Sequence, residues 1–256
     1  MQQTVLLTGG AGSLGKAFVT LLTELEYEVI VVDNSEWALA ELKALYPMVE
    51  CYLGDFADYP LSGMEDIIIH AAAFKHVELG EIMPTPFITN NLTKTINFYE
   101  KIQQGITRLL YISTDKAVEP ISVYGATKFL AERLTYEING QVARLGNILS
   151  SSGSVIPLWE AAIAQHKPIP ITDPAMTRYV ISADQAVKQI WDGFLKGNRL
   201  IIPDMGEPER ILDMMAEVLA RHGFEKASQY EPGVVVIGKR PGEKLQEKLV
   251  WSTEIL

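Results

Sequence analysis

The chain has 256 residues, and its 22 Lys and Arg against 32 Asp and Glu give a net charge of −10, which excludes the basic surface that nucleic acid or an anionic membrane requires. Hydrophobic content of 48% with 21% charged residues is that of a globular chain, not a disordered one. A single cysteine, Cys51, and four histidines leave no disulfide framework and little from which to build a metal site.

MQQTVLLTGG, the first stretch, has neither a basic n-region nor a small-residue cleavage site, and no apolar run approaches the roughly 18 residues needed to span a bilayer. A soluble, cytoplasmic chain is expected. Thr4 to Thr8 reads as a strand ending in glycines, and Leu14 to about Leu25 as a helix. A second strand, Glu28 to Val32, is closed by Asp33, and Trp37 to Leu45 is helical again. Further strands are expected at Val49–Leu53, where Cys51 reads as a buried inert thiol, and at Asp66–His70, Arg108–Ser113 and Val142–Leu145. Helices fit between them at about Pro86–Gln103 and Ser122–Ile138. Strands that are apolar throughout suit a parallel sheet covered on both faces. Their alternation with helices predicts an α/β, Rossmann-like doubly wound fold.

Beyond about residue 146, prolines break the chain into shorter pieces. Helices are expected at Ser154–Gln165, Ala183–Leu195 and Glu209–His222, with strands at Leu200–Ile202 and Val234–Ile237. The division expected is a dinucleotide-binding part, 1–146, and a smaller C-terminal substrate-binding part, 147–256, together one structural unit.

The run Gly9-Gly10-Ala11-Gly12-Ser13-Leu14-Gly15 leaves the first strand and opens the first helix. Glycines at 9, 12 and 15 permit a tight turn and a close approach of backbone to a pyrophosphate, which the free N–H groups of the helix start also attract. Asp33 ends the second strand, where a carboxylate accepts from ribose hydroxyls and repels a 2′-phosphate, favouring NAD while leaving NADP open. Asp55 and Phe56 offer a carboxylate and an aromatic wall near an adenine, and Ala71 and Ala72 are small where a dinucleotide passes.

Tyr124 and Lys128, at i and i+4, share one helix face. The Lys128 cation is expected to lower the Tyr124 phenol pKa and to hold a nicotinamide ribose. Ser113-Thr114-Asp115-Lys116 ends the preceding strand.

Through TGGAGSLG and the Ser/Thr…Tyr-xxx-Lys set the chain resembles the extended short-chain dehydrogenase/reductase superfamily. FKHVELGE (74–81), STDKAVEPISVYGATK (113–128), GNILSSSGSVIP (146–157), ITDPAMTRYVIS (171–182) and RPGEKLQEKL (240–249) resemble the polysaccharide-biosynthesis nucleotide-sugar 4,6-dehydratases. Among them the inverting UDP-N-acetylglucosamine 4,6-dehydratase type is the most similar. The resemblance implies that Tyr124 takes the C4 hydroxyl proton with Thr114 beside it, that Lys116 removes the C5 proton, and that Asp115 protonates the departing C6 hydroxyl. A 4-epimerase or 4-ketoreductase on the same fold has no use for the last two residues, and a non-catalytic dinucleotide sensor has no use for Tyr124 and Lys128.

For the substrate, Lys75 and His76 follow the fourth strand and Asn91 lies in a nearby helix. Asn147, Arg178, and Arg240 with Glu243 are candidates to grip a nucleotide diphosphate. Ser152 stands where the resembling family usually carries Arg. The resemblance also implies a homo-oligomer paired through the helices at about 86–103 and 122–138.

Overall fold

The computed structural model describes residues 2–102, 107–149, 151 and 154–251. Seven parallel strands form the central sheet: β1 (Thr4–Thr8), β2 (Glu28–Asp33), β3 (Glu50–Leu53), β4 (Ile67–His70), β5 (Arg108–Thr114), β6 (Gln141–Leu145) and β7 (Leu200–Ile201). Their order is β7-β6-β5-β4-β1-β2-β3. Successive strand residues point to opposite faces, and here both faces are apolar. Val5, Leu7, Val31, Ile67, Ile69, Leu110 and Ile112 belong to one core, while Leu6, Val32, Ile68, Leu109 and Tyr111 belong to another.

Neither face can be left to water, so helices cover both. α1 (Ser13–Glu24) brings Phe18 and Leu22 to the first core. α2 (Glu36–Leu45) adds Leu39 and Leu42 to it. α3 (Val77–Ile82), α4 (residues 84–99) and α5 (Val123–Glu137) follow, with Phe98, Tyr99 and Ala131 filling the second core. α6 (Val155–Ala164), α7 (Ala183–Leu195) and α8 (Ile211–Arg221) complete the set. The strand order reverses beside β1, and in such sheets that reversal opens a crevice at the carboxyl ends of the strands.

The doubly wound parallel fold is present as expected, with differences of detail. α3 was not foreseen. α4 starts at Pro84, which is favoured at a first helical position where no N–H is needed, and a π turn at Thr89–Thr93 interrupts it. The expected end of this helix, Gln103, lies outside the described residues, as does Ser152. Glu209 and Arg210 are not helical; they pair antiparallel with Thr177–Arg178, and α8 begins after them. Cys51 is half-buried, and burial still pushes its thiol pKa up.

A third core, with Ile156, Trp159, Ile169, Ile171, Met214, Met215 and Val218, belongs to the C-terminal part. Between its pieces, residues 183–201 return to the sheet as α7 and β7, where Leu200 pairs with Val142. The two parts therefore interleave in sequence and do not divide once at residue 146.

One buried ion pair ties α5 to β6. Glu132 and Arg144 are both fully buried, with Arg144 Nη2 2.7 Å from Glu132 Oε2 and Nε 3.1 Å from Oε1. Ser113 Oγ donates to the same carboxylate. Removing one partner strands the other charge in a dry site, so Glu132→Ala is expected to cost about 3–5 kcal/mol. Urea unfolding should find the double variant Glu132→Leu, Arg144→Met less destabilised than Glu132→Ala alone; the reverse order would mean that the pair itself supplies the stability.

Candidate active site

Loops from the carboxyl ends of β1 to β6 enclose a cleft of about 480 Å³. Gly9, Gly12, Ser13, Leu14, Gly15, Asp33, Asp55, Phe56, Ala71, Ala72, Tyr124 and Lys128 all line it, as do Thr114, Lys116, Lys75, His76 and Asn147.

The dinucleotide side is shaped by backbone proximity. Gly9 has φ of +69°, and a Cβ there would lie 2.8 Å from the Ala72 Cα and amide nitrogen. Only glycine fits, and Ala72 leaves that approach open. α1 has Gly12 at its N-cap with no side chain capping it, so its first N–H groups face the cleft as an anion seat. Asp33 is held in place rather than spent as a helix cap. Its Oδ2 accepts from Ala11 N at 3.1 Å and its Oδ1 from Ser35 N at 3.0 Å, while Ser35 caps α2. Asp55 accepts from Ala57 N at 2.9 Å and pairs with Lys94. Phe56 packs against buried His70 at a tilt of 55°, ring centroids 4.7 Å apart. A cradle of this shape, with a carboxylate fixed at the end of β2, fits a dinucleotide.

At the chemical centre α5 is docked tightly on the end of β5. A Cβ on Gly125 would fall 2.3 Å from the Lys116 carbonyl oxygen, so any larger residue would push the helix off. Lys128 Nζ donates to Ile112 O at 2.6 Å and sits 4.1 Å from the Tyr111 ring centroid. Burial lowers its pKa to about 7 against the pull of Glu132. Tyr124 differs from expectation. Burial raises its phenol pKa, Asp115 and Glu247 raise it further, and a hydrogen bond with Thr114 opposes them. Lys128 is not among the groups that move the phenol.

Lys116 Nζ donates to Asp115 Oδ1 at 2.9 Å and reaches Asn147 Oδ1 at 3.5 Å. Thr114 Oγ1 also donates to Asp115 Oδ1, at 3.0 Å. Asp115 is fully buried behind these two residues, outside the cleft lining, and its Oδ2 has no hydrogen-bond partner among the described residues.

Four substrate candidates lie off the cleft lining. Asn91 is buried and clamps the loop after β4, accepting from Phe74 N and donating to Phe74 O, both at 2.8 Å. Its neighbour Asn90 lines the cleft instead, because the π turn shifts the helix face. Arg178 Nη1 donates to Thr177 O and Leu245 O. Arg240 pairs at the surface with Glu78 at 3.3 Å, and its own N–H donates to Glu243 Oε2. Glu247, not singled out from the sequence, is buried beside Lys116 at 3.8 Å. Ser154, at the start of α6, lines the cleft with a buried hydroxyl lacking a partner among the described residues. Its place in the quoted motif GNILSSSGSVIP was the available signal.

Among the described residues there is no cluster suited to a metal ion and no helix long and apolar enough to cross a membrane. The polysaccharide biosynthesis protein family matches residues 5–256. An uncharacterized membrane protein of Methanocaldococcus jannaschii is 37% identical over 99% of this chain and 82% of its own length. A UDP-N-acetylglucosamine 4,6-dehydratase (inverting) of Campylobacter jejuni is 32% identical over 98% of this chain and 78% of its own. A UDP-glucose 4-epimerase of Rickettsia massiliae is 31% identical over 100% and 80%. The crystal structure of Pen from Bacillus thuringiensis superposes with a TM-score of 0.85 at 26% identity, covering 97% of this chain and 82% of that one.

His70 bridges Thr8 at 2.7 Å and Thr95 at 3.1 Å beneath the cleft, and burial, with the charge of Lys128, lowers its pKa to about 3. Above the unfolded value near 6.5 both states are neutral and it contributes nothing to the pH dependence. Below it the unfolded chain binds a proton that the folded one refuses, so stability falls progressively toward pH 3. Urea unfolding at pH 7 and pH 5 is expected to differ by about 2 kcal/mol on this account. His70→Asn should show a shallower loss, and an unchanged loss would assign the effect to other groups.

Proposed function

The chain belongs to the polysaccharide biosynthesis protein family, and from that premise we propose that it is an NAD-dependent nucleotide-sugar 4,6-dehydratase acting on UDP-N-acetylglucosamine with inversion at C5. The observation that carries the reading is the Lys116–Asp115 contact of 2.9 Å beside Tyr124 and Lys128. Oxidation at C4 alone needs only a base for the hydroxyl; loss of water needs a second base and an acid. The name of the Campylobacter jejuni relative supports the same activity.

The Gly9–Gly15 turn and Asp33 would hold NAD, which would supply the hydride acceptor and donor. Tyr124 takes the proton of the C4 hydroxyl as its phenolate, steadied by Thr114. Burial alone disfavours that form, and the positive nicotinamide ring of bound NAD would favour it by opposite charge, while Lys128 would hold the ribose. The resulting ketone acidifies the neighbouring C5–H. Lys116 takes that proton as a neutral amine, having passed its own proton to Asp115 through their hydrogen bond. Asp115, behind the cleft wall, is then the source of the proton that leaves with the C6 oxygen as water, relayed through the Thr114 hydroxyl that lines the cleft and is hydrogen-bonded to it at 3.0 Å. The pair is then ammonium and carboxylate again. Hydride return to C6 would be matched by a proton from solvent reaching C5 on the face opposite Lys116, as inversion demands, and loss of the Tyr124 proton to solvent restores the site for another turnover.

The sugar is proposed to lie toward Lys75, His76 and Asn147, with its diphosphate near Ser154 and the start of α6. Asn91 and Arg178 act there by holding loops. Exposed Ile82, Ile88, Ile96 and Leu130 on α3, α4 and α5, with Met83 between the first two helices, support a homo-oligomer formed through these helices. The epimerase reading, which the Rickettsia massiliae relative's name favours, is separated by mass: a dehydratase product is lighter by one water, an epimer is not.

Two variants test the assignment. Lys116→Ala should keep the bound dinucleotide and lose about 10²- to 10⁴-fold in elimination, while the unmutated enzyme in D₂O places deuterium at C5. Dehydration and exchange near the normal rate in Lys116→Ala would reduce the lysine to a loop charge. Asp33→Ala should raise use of NADP relative to NAD, by removing the ribose acceptor and the repulsion of a 2′-phosphate; equal use of both by the unmutated protein would show that Asp33 does not select.

A further inference from the structure

Asp115 already neutralises Lys116, yet a second carboxylate is delivered to the same amine from the far end of the chain. Glu247 is 7% exposed. Its Oε1 lies 3.8 Å from Lys116 Nζ and its Oε2 3.1 Å from Lys244 Nζ. Lys244 in turn donates to Val118 O at 2.7 Å, just past the Lys116 turn. The segment that carries both residues, 244–249, is strapped across the molecule. Thr177 N and Arg178 Nη1 donate to Leu245 O at 2.9 and 3.2 Å, and Arg144 Nη1 donates to Leu249 O at 2.8 Å. A carboxylate withdrawn from water is tolerated only where its charge is answered, and Lys116 and Lys244 are its ion-pair partners among the described residues.

We propose that Glu247 is a positioning residue for Lys116, brought by the C-terminal strap so that the amine is held between two carboxylates, with Lys244 setting how strongly Glu247 acts. The inference rests on the dehydratase reading for its catalytic meaning but not for its geometry. Arg178, a substrate candidate in sequence, gains a role here as an anchor of the strap. Among the described residues the ion-pair partners of Lys116 are Asp115 on its own turn and Glu247 on the strap, where Lys244 pairs with Glu247; Tyr124 on α5 feels the same two carboxylates, and Asn147 adds a neutral acceptor.

The test compares the dinucleotide-loaded full chain with Glu247→Gln and Lys244→Gln by limited acetic anhydride labelling across pH, read by peptide mass spectrometry. Exposed Lys196 serves as the internal reference. Removing the carboxylate charge should move the labelling midpoint of Lys116 down by about one pH unit, or roughly tenfold in rate below the midpoint, the usual effect of an opposite charge this close. Lys244→Gln leaves Glu247 uncompensated and should move the midpoint up. The opposite signs protect the test: if Glu247→Gln fails to fold, the upward shift in Lys244→Gln decides alone. Unchanged midpoints in the folded variants would overturn the proposal whatever the substrate. With substrate, Glu247→Gln should move the acidic limb of the dehydration rate to lower pH and Glu247→Asp should restore it, whereas a merely structural role would lower the rate without moving the limb. An unmutated protein that removes no water from nucleotide sugars, while the midpoints still shift, would overturn the dehydratase reading and leave the positioning contact standing.

Discussion

A helix face that carries Tyr124, Lys128 and Glu132 has to be buried, and most of the site follows from that constraint. The three recur every fourth residue and face the same way, where an amphipathic helix ordinarily presents apolar side chains. Each polar head must then find a partner on the sheet. Three successive residues of β5 provide them: Ile112 O for Lys128, Ser113 for Glu132, and Thr114 for Tyr124. The match requires α5 to lie very close to the strand end, which is why glycine stands at 125. Helix depth, strand register and cleft floor are thus one property.

Burial divides the cleft into two electrostatic regimes. Beneath the dinucleotide side, His70 is held neutral and Tyr124 is pushed away from ionising, while Lys128 loses its proton near pH 7. Toward the sugar side, charge is kept but always answered: Lys116 by Asp115 and Glu247, Glu247 by Lys244. Neutral groups suit a floor that must accept and return a hydride beside it. Compensated charges would suit a wall that moves protons, as the proposed reading asks.

What was legible in the sequence was local. Apolar runs on both parities gave the parallel sheet, and the glycine run with Asp33 gave the dinucleotide side, because each depends on neighbours a few residues apart. The Tyr124–Lys128 pair was legible for the same reason. Partners chosen across the chain were not. Arg240 looked like a phosphate ligand but meets Glu78, and Arg178 was placed by a backbone carbonyl at residue 245. Asn91, expected toward the substrate, lies off the cleft while Asn90 lines it, within a π turn that the residues around it do not announce. The phenol of Tyr124 was misjudged because the lysine four residues on was counted as the charge that sets it, whereas burial and the carboxylates of Asp115 and Glu247 do.

On the proposed reading, the same depth accounts for an acid and a base that are adjacent residues. Two ionisable groups in a dry wall are costly apart, since each would need its own counter-charge. Asp115 and Lys116, in contact at the head of one short turn, answer each other and exchange a proton without changing the net charge of the wall. On the proposed dehydratase reading, elimination would ask the protein for no charge that was not already there: the proton taken at C5 would be replaced by the one given at C6. Such a pair can be buried deeply enough to exclude water and still work. A lysine and an aspartate drawn from separate loops would have to be held by solvent or by further ions, and the cleft would be wetter for it.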